Sequence, residues 1–330
     1  MVLNHTMITK QSALQYLPVG LFGSTVAIAG LGLALKQSVI LYGLPACFGI
    51  VITMICWSIF ILLSICYMIK CFRFPAQVKA ELTNQVTANF LGTFFISVVL
   101  LAWLTAPFYL TIARITWFTG AGGSLIFMFI LVSRLFKGNL SVLDAVPPTL
   151  IPGLTVLNSA SAGAYMKFGW LGSDVNIILF ALGISYVFTF FVIIMYRLVH
   201  RSPVVTFLRP TLLLMCAPFE VGFIAYMTHF TAVDLFGSTI FYFGLFIFIV
   251  LFFIVFKKGL PFMVSWWGSC FSASALANAA LRYAILSKDL FVKDIAAVIL
   301  MVLIVLILIT VYYTVQRLVT GQLLKDPAIV

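Results

Sequence analysis

Few residues in this sequence are candidates for acid–base or nucleophilic chemistry. The chain has eight acidic residues and three histidines, and the nearest acid–histidine pair inside one apolar segment is Glu220 with His229. Nine positions on one helix make two and a half turns, so these side chains would lie about 13 Å apart along the axis and on opposite faces. Acid–base and covalent catalysis need groups within reach of each other. The sequence therefore argues against an enzyme.

The sequence also lacks the spacing typical of metal ligands. Six cysteines lie in or beside apolar segments without the paired spacing of zinc or redox sites. The three histidines, His5, His200 and His229, are scattered. The cysteines are expected to pack as small apolar groups. We therefore expect no metal and no cofactor.

The segments around these residues have the composition of a membrane protein. Of the 330 residues, 64% are hydrophobic and 8% charged, and the mean hydropathy is +1.21, whereas soluble proteins carry about 25% charged residues. A bilayer-crossing helix needs about 20 mostly apolar residues. We predict an all-α integral membrane protein, with one domain over 1–330 and ten transmembrane helices at about 17–35, 46–69, 86–106, 112–135, 149–167, 175–196, 210–230, 236–256, 261–285 and 293–316.

The net charge of +11 is distributed as a topology signal. If the N-terminus is cytoplasmic, 13 of the 19 Lys and Arg residues fall in inside segments: Lys10, Lys70, Arg73, Lys79, Arg134, Lys137, Arg197, Arg201, Arg209, Lys257, Lys258, Arg317 and Lys325. This asymmetry follows the positive-inside rule. We expect a short cytoplasmic N-terminus at about 1–16 and a cytoplasmic C-terminus at about 317–330. The charge is assigned to topology and not to nucleic-acid binding.

The predicted spans are of two alternating kinds. Spans two, six, eight and ten are bulky and nearly unbroken in apolar character, as in 241–256 and 298–309. The odd-numbered spans contain Gly, Ser, Thr, Asn and Pro, and span four departs from the scheme with a glycine cluster at 120–123 that we interpret as a close packing point. Small and polar residues belong where helices meet each other or water. The alternation predicts five helical hairpins, with odd helices lining a central pore and even helices outside.

Small and polar residues form stripes on four of the odd spans. Residues three or four positions apart share one face of an α-helix. Tight helix packing through small residues explains any single stripe equally well. Because four odd spans carry such stripes, a shared lumen is favoured, and its predicted lining residues are Gly20, Gly23, Ala27, Asn89, Thr93, Ser97, Gly268, Ser274 and Asn278.

Phe271 is the bulky member of the stripe on span nine. The chain has 33 phenylalanines, and most phenylalanines in a span serve packing or lipid contact. A ring between Gly268 and Ser274 would nevertheless protrude into a lumen lined by this stripe. Hydrophobic constrictions gate pores by excluding water and hydrated ions. Phe271 is therefore a candidate gate.

Two charged residues are possible pore charges. Glu220 lies near the middle of span seven, where a carboxylate is costly and usually pairs, faces water or carries protons. It either pairs with a cation such as Arg114 or Arg282, or it stands unpaired near the lumen, repelling anions when ionised and letting them pass when protonated. Arg282 lies eleven residues after Phe271, on the same face and about 16 Å further along. It either marks the outer end of the pore or snorkels to the interface.

Three segments of the sequence resemble one family of membrane proteins. They are Pro18–Gly23 followed by Gly30 and Leu31, Leu208–Thr211 with Ala217 and Pro218, and above all PFMVSWWGSCF at 261–271. These segments resemble the bacterial TehA tellurite-resistance proteins and the plant guard-cell slow anion channels, a family that includes fungal malate and sulfite transporters. The similarity extends over essentially the whole membrane domain. By the register of Trp266 and Trp267, the family's occluding phenylalanine falls on Phe271, although Ser272 stands where the family often has proline.

The resemblance implies a homotrimer in which each subunit has its own pore. It implies a channel for small anions that is gated by Phe271, in a prokaryotic plasma (inner) membrane. The alternative is a proton-linked carrier of an organic anion or oxyanion, such as a C4-dicarboxylate (malate), sulfite or tellurite. The expected partners are small inorganic or organic anions, the lipid bilayer and other copies of the chain, with no nucleic acid among them.

Overall fold

The computed structural model describes residues 13–138, 141–256 and 260–324. The described part is almost entirely helical and contains no β-strand. Its α-helices are α1 Phe22–Tyr42, α2 Cys47–Arg73, α3 Pro75–Thr83, α4 Gly92–Thr105, α5 Leu110–Phe136, α6 Ile151–Gly163, α7 Trp170–His200, α8 Ala217–Tyr226, α9 Leu235–Val255, α10 Trp266–Ser287 and α11 Leu290–Val319. Five residues considered above, His5, Lys10, Lys257, Lys258 and Lys325, lie outside the described residues.

A helix lies at each of the ten predicted spans, and α3 is an additional short helix that the sequence did not predict. It begins at Pro75, which fits the first turn of a helix because a proline there loses no hydrogen bond. It follows α2 directly and packs against it. The connection between spans two and three is therefore partly helical.

The inner helices begin with tight turns. The first, third, fifth and seventh spans start with the 3-10 segments Val19–Leu21, Thr87–Leu91, Pro147–Leu150 and Thr206–Met215. The start of α10 follows the same i to i+3 pattern, because the amide of Trp267 donates to the Val264 carbonyl oxygen at 3.1 Å. A 3-10 segment has three residues per turn and not 3.6. Side chains in these 3-10 segments therefore lie on other faces than α-helical spacing predicts.

Eight helical segments in the described ranges are long and apolar enough to cross a membrane. They differ sharply in the share of residues that are buried. This share is 83% in the most apolar stretch of Val19–Tyr42 and only 17% in the most apolar stretch of Cys47–Arg73. The prediction of a helical integral membrane protein is confirmed. That all ten predicted spans cross the bilayer stays a prediction.

Five helices form a closed ring, in which α1 packs on α4, α4 on α6, α6 on α8, α8 on α10, and α10 on α1. Five long helices, α2, α5, α7, α9 and α11, pack outside the ring, each against the inner helix that precedes it. The outer helices expose many large apolar side chains. This arrangement has the two kinds of helix that the alternation in the sequence indicated.

The glycine cluster of α5 brings that helix close to α4. A Cβ added at Gly120 would lie 2.7 Å from Val99 Cγ2, and one at Gly123 would lie 2.3 Å from Phe95 Cε1. Neither position has room for a side chain. The close packing point expected at 120–123 is confirmed.

Candidate functional site

A cavity of about 380 Å³ opens at the end of the ring where the inner helices begin. Its wall is built mainly from the 3-10 starts of the first, third and seventh spans and from the turn before α10. We call this cavity the vestibule. Five of the predicted site residues line it: Gly20, Gly23, Thr93, Gly268 and Phe271.

The floor of the vestibule is apolar. The lining residues that lie farthest along their helices are Val26, Ile96 and Phe271, and their exposed fractions are 1%, 1% and 6%. A phenyl ring and two aliphatic side chains offer no hydrogen bonds to replace the water around an ion. The inner end of the vestibule is therefore apolar and buried.

Beyond the floor, α1 and α10 pack in direct contact along a seam. The Asn278 amide nitrogen donates to the carbonyl oxygens of Gly30 and Ser274, both at 2.8 Å, and its amide oxygen accepts from Gln37 at 2.7 Å. Ser274 lies directly against Gly30, because a Cβ added there would be 2.2 Å from the Ser274 hydroxyl oxygen. Ser274 and Asn278, both predicted to line the pore, are thus engaged in the α1–α10 seam.

Two more predicted lining residues are buried between helices. Ala27 is completely buried. The Ser97 hydroxyl oxygen lies 2.7 Å from the Thr93 carbonyl oxygen and 3.2 Å from the Phe22 carbonyl oxygen. Ser97 therefore connects α4 to α1. Neither residue lines the vestibule.

Asn89 lies on a different face from Thr93. It lines a second cavity, together with Ala88 and Arg134, whereas Thr87, Phe90 and Thr93 line the vestibule. The reason is the 3-10 segment Thr87–Leu91, in which a step of four residues turns the side chain by about 120° more than one full turn. The structure thus places Asn89 outside the vestibule.

Glu220 is buried between α8 and α9, away from the vestibule. Its exposed fraction is 0%, and a Cβ added at Gly244 of α9 would lie 3.5 Å from its Cγ atom. Within the described ranges, both carboxyl oxygens lack a hydrogen-bond partner of normal geometry. The Cys216 thiol, one turn earlier, lies close to the carboxyl group, but it donates to a backbone carbonyl oxygen.

Three cations on the opposite end of the ring interact with the carboxyl-terminal ends of inner helices. Lys36 Nζ donates to the Leu104 carbonyl oxygen. Arg114 Nε donates to the Met166 carbonyl oxygen at 2.8 Å, and its Nη2 donates to the Lys167 carbonyl oxygen at 2.6 Å. Arg282 Nη2 donates to the Met227 carbonyl oxygen at 3.3 Å. Cations near the last carbonyl groups stabilise a helix. Arg114 and Arg282 are thus held away from Glu220, so the prediction that either of them pairs with it is wrong.

One ion pair of the described ranges, Lys70 with Glu81, lies at the mouth of the vestibule. Lys70 is completely buried and also donates to the Leu17 carbonyl oxygen at 2.7 Å, and the Tyr67 hydroxyl donates to Glu81 at 3.0 Å. These bonds tie α2 and α3 to the start of the first span. The sequence indicates Lys70 only as a topology charge, because its spacing of eleven residues to Glu81 does not predict an ion pair.

Titratable side chains do not form a metal site in the described part of the chain. It contains no group of three or more His, Cys, Asp or Glu residues that could hold a metal ion. The six cysteines are free thiols.

The ring of inner helices, the apolar outer helices and the vestibule with its apolar floor define a helical membrane protein. Over residues 16–315 the sequence matches the SLAC1 family of voltage-dependent anion channels. The chain belongs to this family, and the resemblance drawn from its sequence is confirmed.

Two relatives agree with this assignment at low identity. An uncharacterized transporter of Methanocaldococcus jannaschii is 23% identical, with 81% of this chain and 85% of the relative covered. A tellurite resistance protein TehA homolog of Haemophilus influenzae is 26% identical, with 84% of each chain covered. The family is one of channels and transporters and not of enzymes.

Proposed function

We propose that the protein is a channel for small anions that is closed by the Phe271 ring. The observation that carries this proposal is the position of Phe271 on the apolar floor of the vestibule. Glycines at positions 20, 23 and 268 keep the space before the ring free of side chains. Basic residues at this end of the ring raise the local concentration of anions. Movement of the ring would then open the floor of the vestibule.

We further propose that ten helices cross the bilayer as five hairpins. The two crossings beyond the eight apolar segments are span five, which is helical from Pro147 to Met166, and α10. Twenty helical residues extend about 30 Å, the thickness of the hydrocarbon core. Both termini then lie on the cytoplasmic side of a prokaryotic inner membrane. The family resemblance supports a homotrimer with one pore in each subunit.

The test of the gate compares wild type with Phe271→Ala in liposomes that hold only this protein. Removing the ring leaves a gap at the floor, so anion flux should rise many-fold. Phe248→Ala on the outer helix α9 is the matched control, because Phe248 has the same exposed fraction of 6%. Equal flux from Phe271→Ala and wild type would refute the gate. A reversal potential that follows potassium would refute anion selectivity.

A second candidate function, a proton-linked carrier, is favoured by Glu220. A buried carboxylate without a hydrogen-bond partner is costly when ionised. Glu220 lies one turn after Cys216, whose thiol neighbours Ser272, the residue after the gate. Taking up or releasing a proton there would change the packing of α8 against α10 beside Phe271. Cargo movement would then depend on pH.

Glu220→Gln tests the carrier, because glutamine has nearly the volume of a protonated glutamate. Flux through the variant should be high and independent of pH, whereas wild-type flux should rise as the pH falls. An imposed pH gradient should drive anion accumulation in wild type alone. If Glu220→Gln keeps the wild-type pH dependence, the carrier function is refuted and the channel proposal is unaffected.

A further inference from the structure

A second cavity, of about 640 Å³, lies between the outer helices α5 and α7 at the vestibule end of the molecule. We call it the α5–α7 cleft. Its apolar part is formed by Leu131 of α5 and by Tyr186, Phe190 and Ile193 of α7, and its polar part by Arg134 and Asp144. The cleft therefore has both apolar and charged residues in its wall.

Arg197 continues the α7 face that lines this cleft. It lies four residues after Ile193 and eleven after Tyr186, spacings that share one helical face. Its exposed fraction is only 4%, and its Nε and Nη1 atoms are buried without a hydrogen-bond partner among the described residues. Burying a guanidinium group without an acceptor is costly. Arg197 thus has hydrogen-bond donors that an anionic group could accept from.

Arg134 places a cation in the wall of the cleft. Its Nη1 donates to the Leu82 carbonyl oxygen at 2.7 Å, and a guanidinium group has five N–H donors. Asp144 also lines the cleft and forms no salt bridge with Arg134. The polar part thus offers one cation and one anion that form no salt bridge with each other, and Arg197 lies one turn beyond Ile193 on the neighbouring helix α7.

We propose that the α5–α7 cleft binds a phospholipid with a zwitterionic amine headgroup. The lipid phosphate would accept hydrogen bonds from Arg197 and Arg134, and its ammonium group would approach Asp144. An acyl chain would lie along the apolar part, where Ile193 is 39% exposed. Basic pockets between membrane helices on the cytoplasmic side are known to take lipid headgroups.

Several features favour a lipid over a soluble phosphate. α5 and α7 are outer helices with large exposed apolar side chains, so bilayer lipid reaches the cleft laterally. The α7 side of the cleft is apolar at Tyr186, Phe190 and Ile193, which a small hydrated anion does not need. Asn89 and Ala88 also line the cleft, and their neighbours Thr87 and Phe90 line the vestibule. A bound lipid would therefore support the 3-10 segment that forms one wall of the vestibule.

The test measures lipid binding to the delipidated, purified protein by native mass spectrometry. The probes are dioleoyl phosphatidylethanolamine, dioleoyl phosphatidylglycerol and inorganic phosphate. A hydrogen bond to a charged group contributes about 1.5–3 kcal/mol, so Arg197→Gln should weaken phosphatidylethanolamine binding by about tenfold or more. Arg201→Gln is the matched control, because Arg201 lies at the same helix end and is exposed; its binding should equal that of wild type.

Two further variants keep the proposal refutable if Arg197→Gln fails to fold. Ile193→Trp fills the apolar part while leaving Arg197 intact, and it should lower the binding of both lipids. Asp144→Asn should remove the preference for phosphatidylethanolamine over phosphatidylglycerol, and an unchanged preference would overturn the amine assignment. Wild-type lipid binding in Ile193→Trp or in folded Arg197→Gln would overturn the site. Inorganic phosphate that displaces the lipids would show a soluble-anion site instead.

Discussion

Exchanging the side chains across the α1–α10 seam would test whether that seam is packed or lines a lumen. Gly30→Ala places a Cβ atom 2.2 Å from the Ser274 hydroxyl oxygen and 2.6 Å from its Cβ atom. A rotation of Ser274 removes only the first clash, because its Cβ atom is fixed to the α10 backbone. The two helices must therefore separate. Overpacking of this kind costs about 1–3 kcal/mol.

The compensating change is Ser274→Gly. It removes both clashing atoms, and the next atom, the Ser274 Cα, would lie 3.8 Å from the new Cβ, an ordinary contact. Alone, Ser274→Gly should be destabilising by about 0.5–1 kcal/mol, because glycine is unfavourable inside a helix. Ser274→Gly also removes the hydrogen bond from the Ser274 hydroxyl to the Phe271 carbonyl oxygen. This loss should add little to the destabilisation, because that carbonyl oxygen lies inside α10.

The double variant should be more stable than the sum of the single changes allows. We expect a coupling free energy of about 2 kcal/mol, or about 30-fold in the unfolding equilibrium constant. The assay is reversible unfolding of the purified protein in mixed detergent micelles, with all four members of the cycle measured together. Strictly additive effects would refute the seam. In that case Ser274 faces an open space, and Ser274→Gly should change anion flux in the Phe271→Ala background.

Three other changes test the charges described above. Glu81→Gln leaves the buried Lys70 without its carboxylate and should lower stability by about 1–3 kcal/mol in thermal unfolding; an unchanged melting temperature would show that the pair is dispensable. Arg282→Gln should lower anion flux in the Phe271→Ala background, most strongly at low salt, whereas unchanged flux would indicate a purely structural cation. The hydroxyl of Tyr226 donates to Asp234 at 2.6 Å and lowers the pKa of that carboxyl below 3.8. The stabilisation by the ionised Asp234 carboxylate should be complete above pH 3.8 and should vanish as the pH falls through the lowered pKa. If the melting temperature of Asp234→Asn depends on acid in the same way as that of wild type, this prediction is wrong.

The helices of this protein could be predicted from the sequence because composition alone separates the two kinds. A helix that faces lipid is apolar on all sides, and a helix inside the ring contains small and polar residues. The approximate position of every span follows from this contrast. The 3-10 starts could not be predicted from it, since they change the face of a side chain without changing the composition.

The candidate site was predictable only in part, for the same reason. Phe271, Gly20 and Gly268 reach the vestibule, where the motif that contains the two tryptophans positions α10. Asn278 has equally good spacing, but its amide is used for hydrogen bonds across the seam. A polar stripe predicts that a helix face is buried against something other than lipid. It does not distinguish water from another helix.

The three cations that cap the inner helices also bear on how the protein enters the membrane. In the proposed orientation, Lys36, Arg114 and Arg282 must pass through the bilayer to the outer side, against the positive-inside rule. Each unit charge carried outward against the membrane potential opposes insertion by about 2.3 kcal/mol per 100 mV, or about 7 kcal/mol for the three. The dense basic segments retained on the other side offset this during biogenesis. Replacing the basic residues of these retained segments with neutral ones should therefore produce inverted or mixed topologies, while the packing of the folded ring changes little.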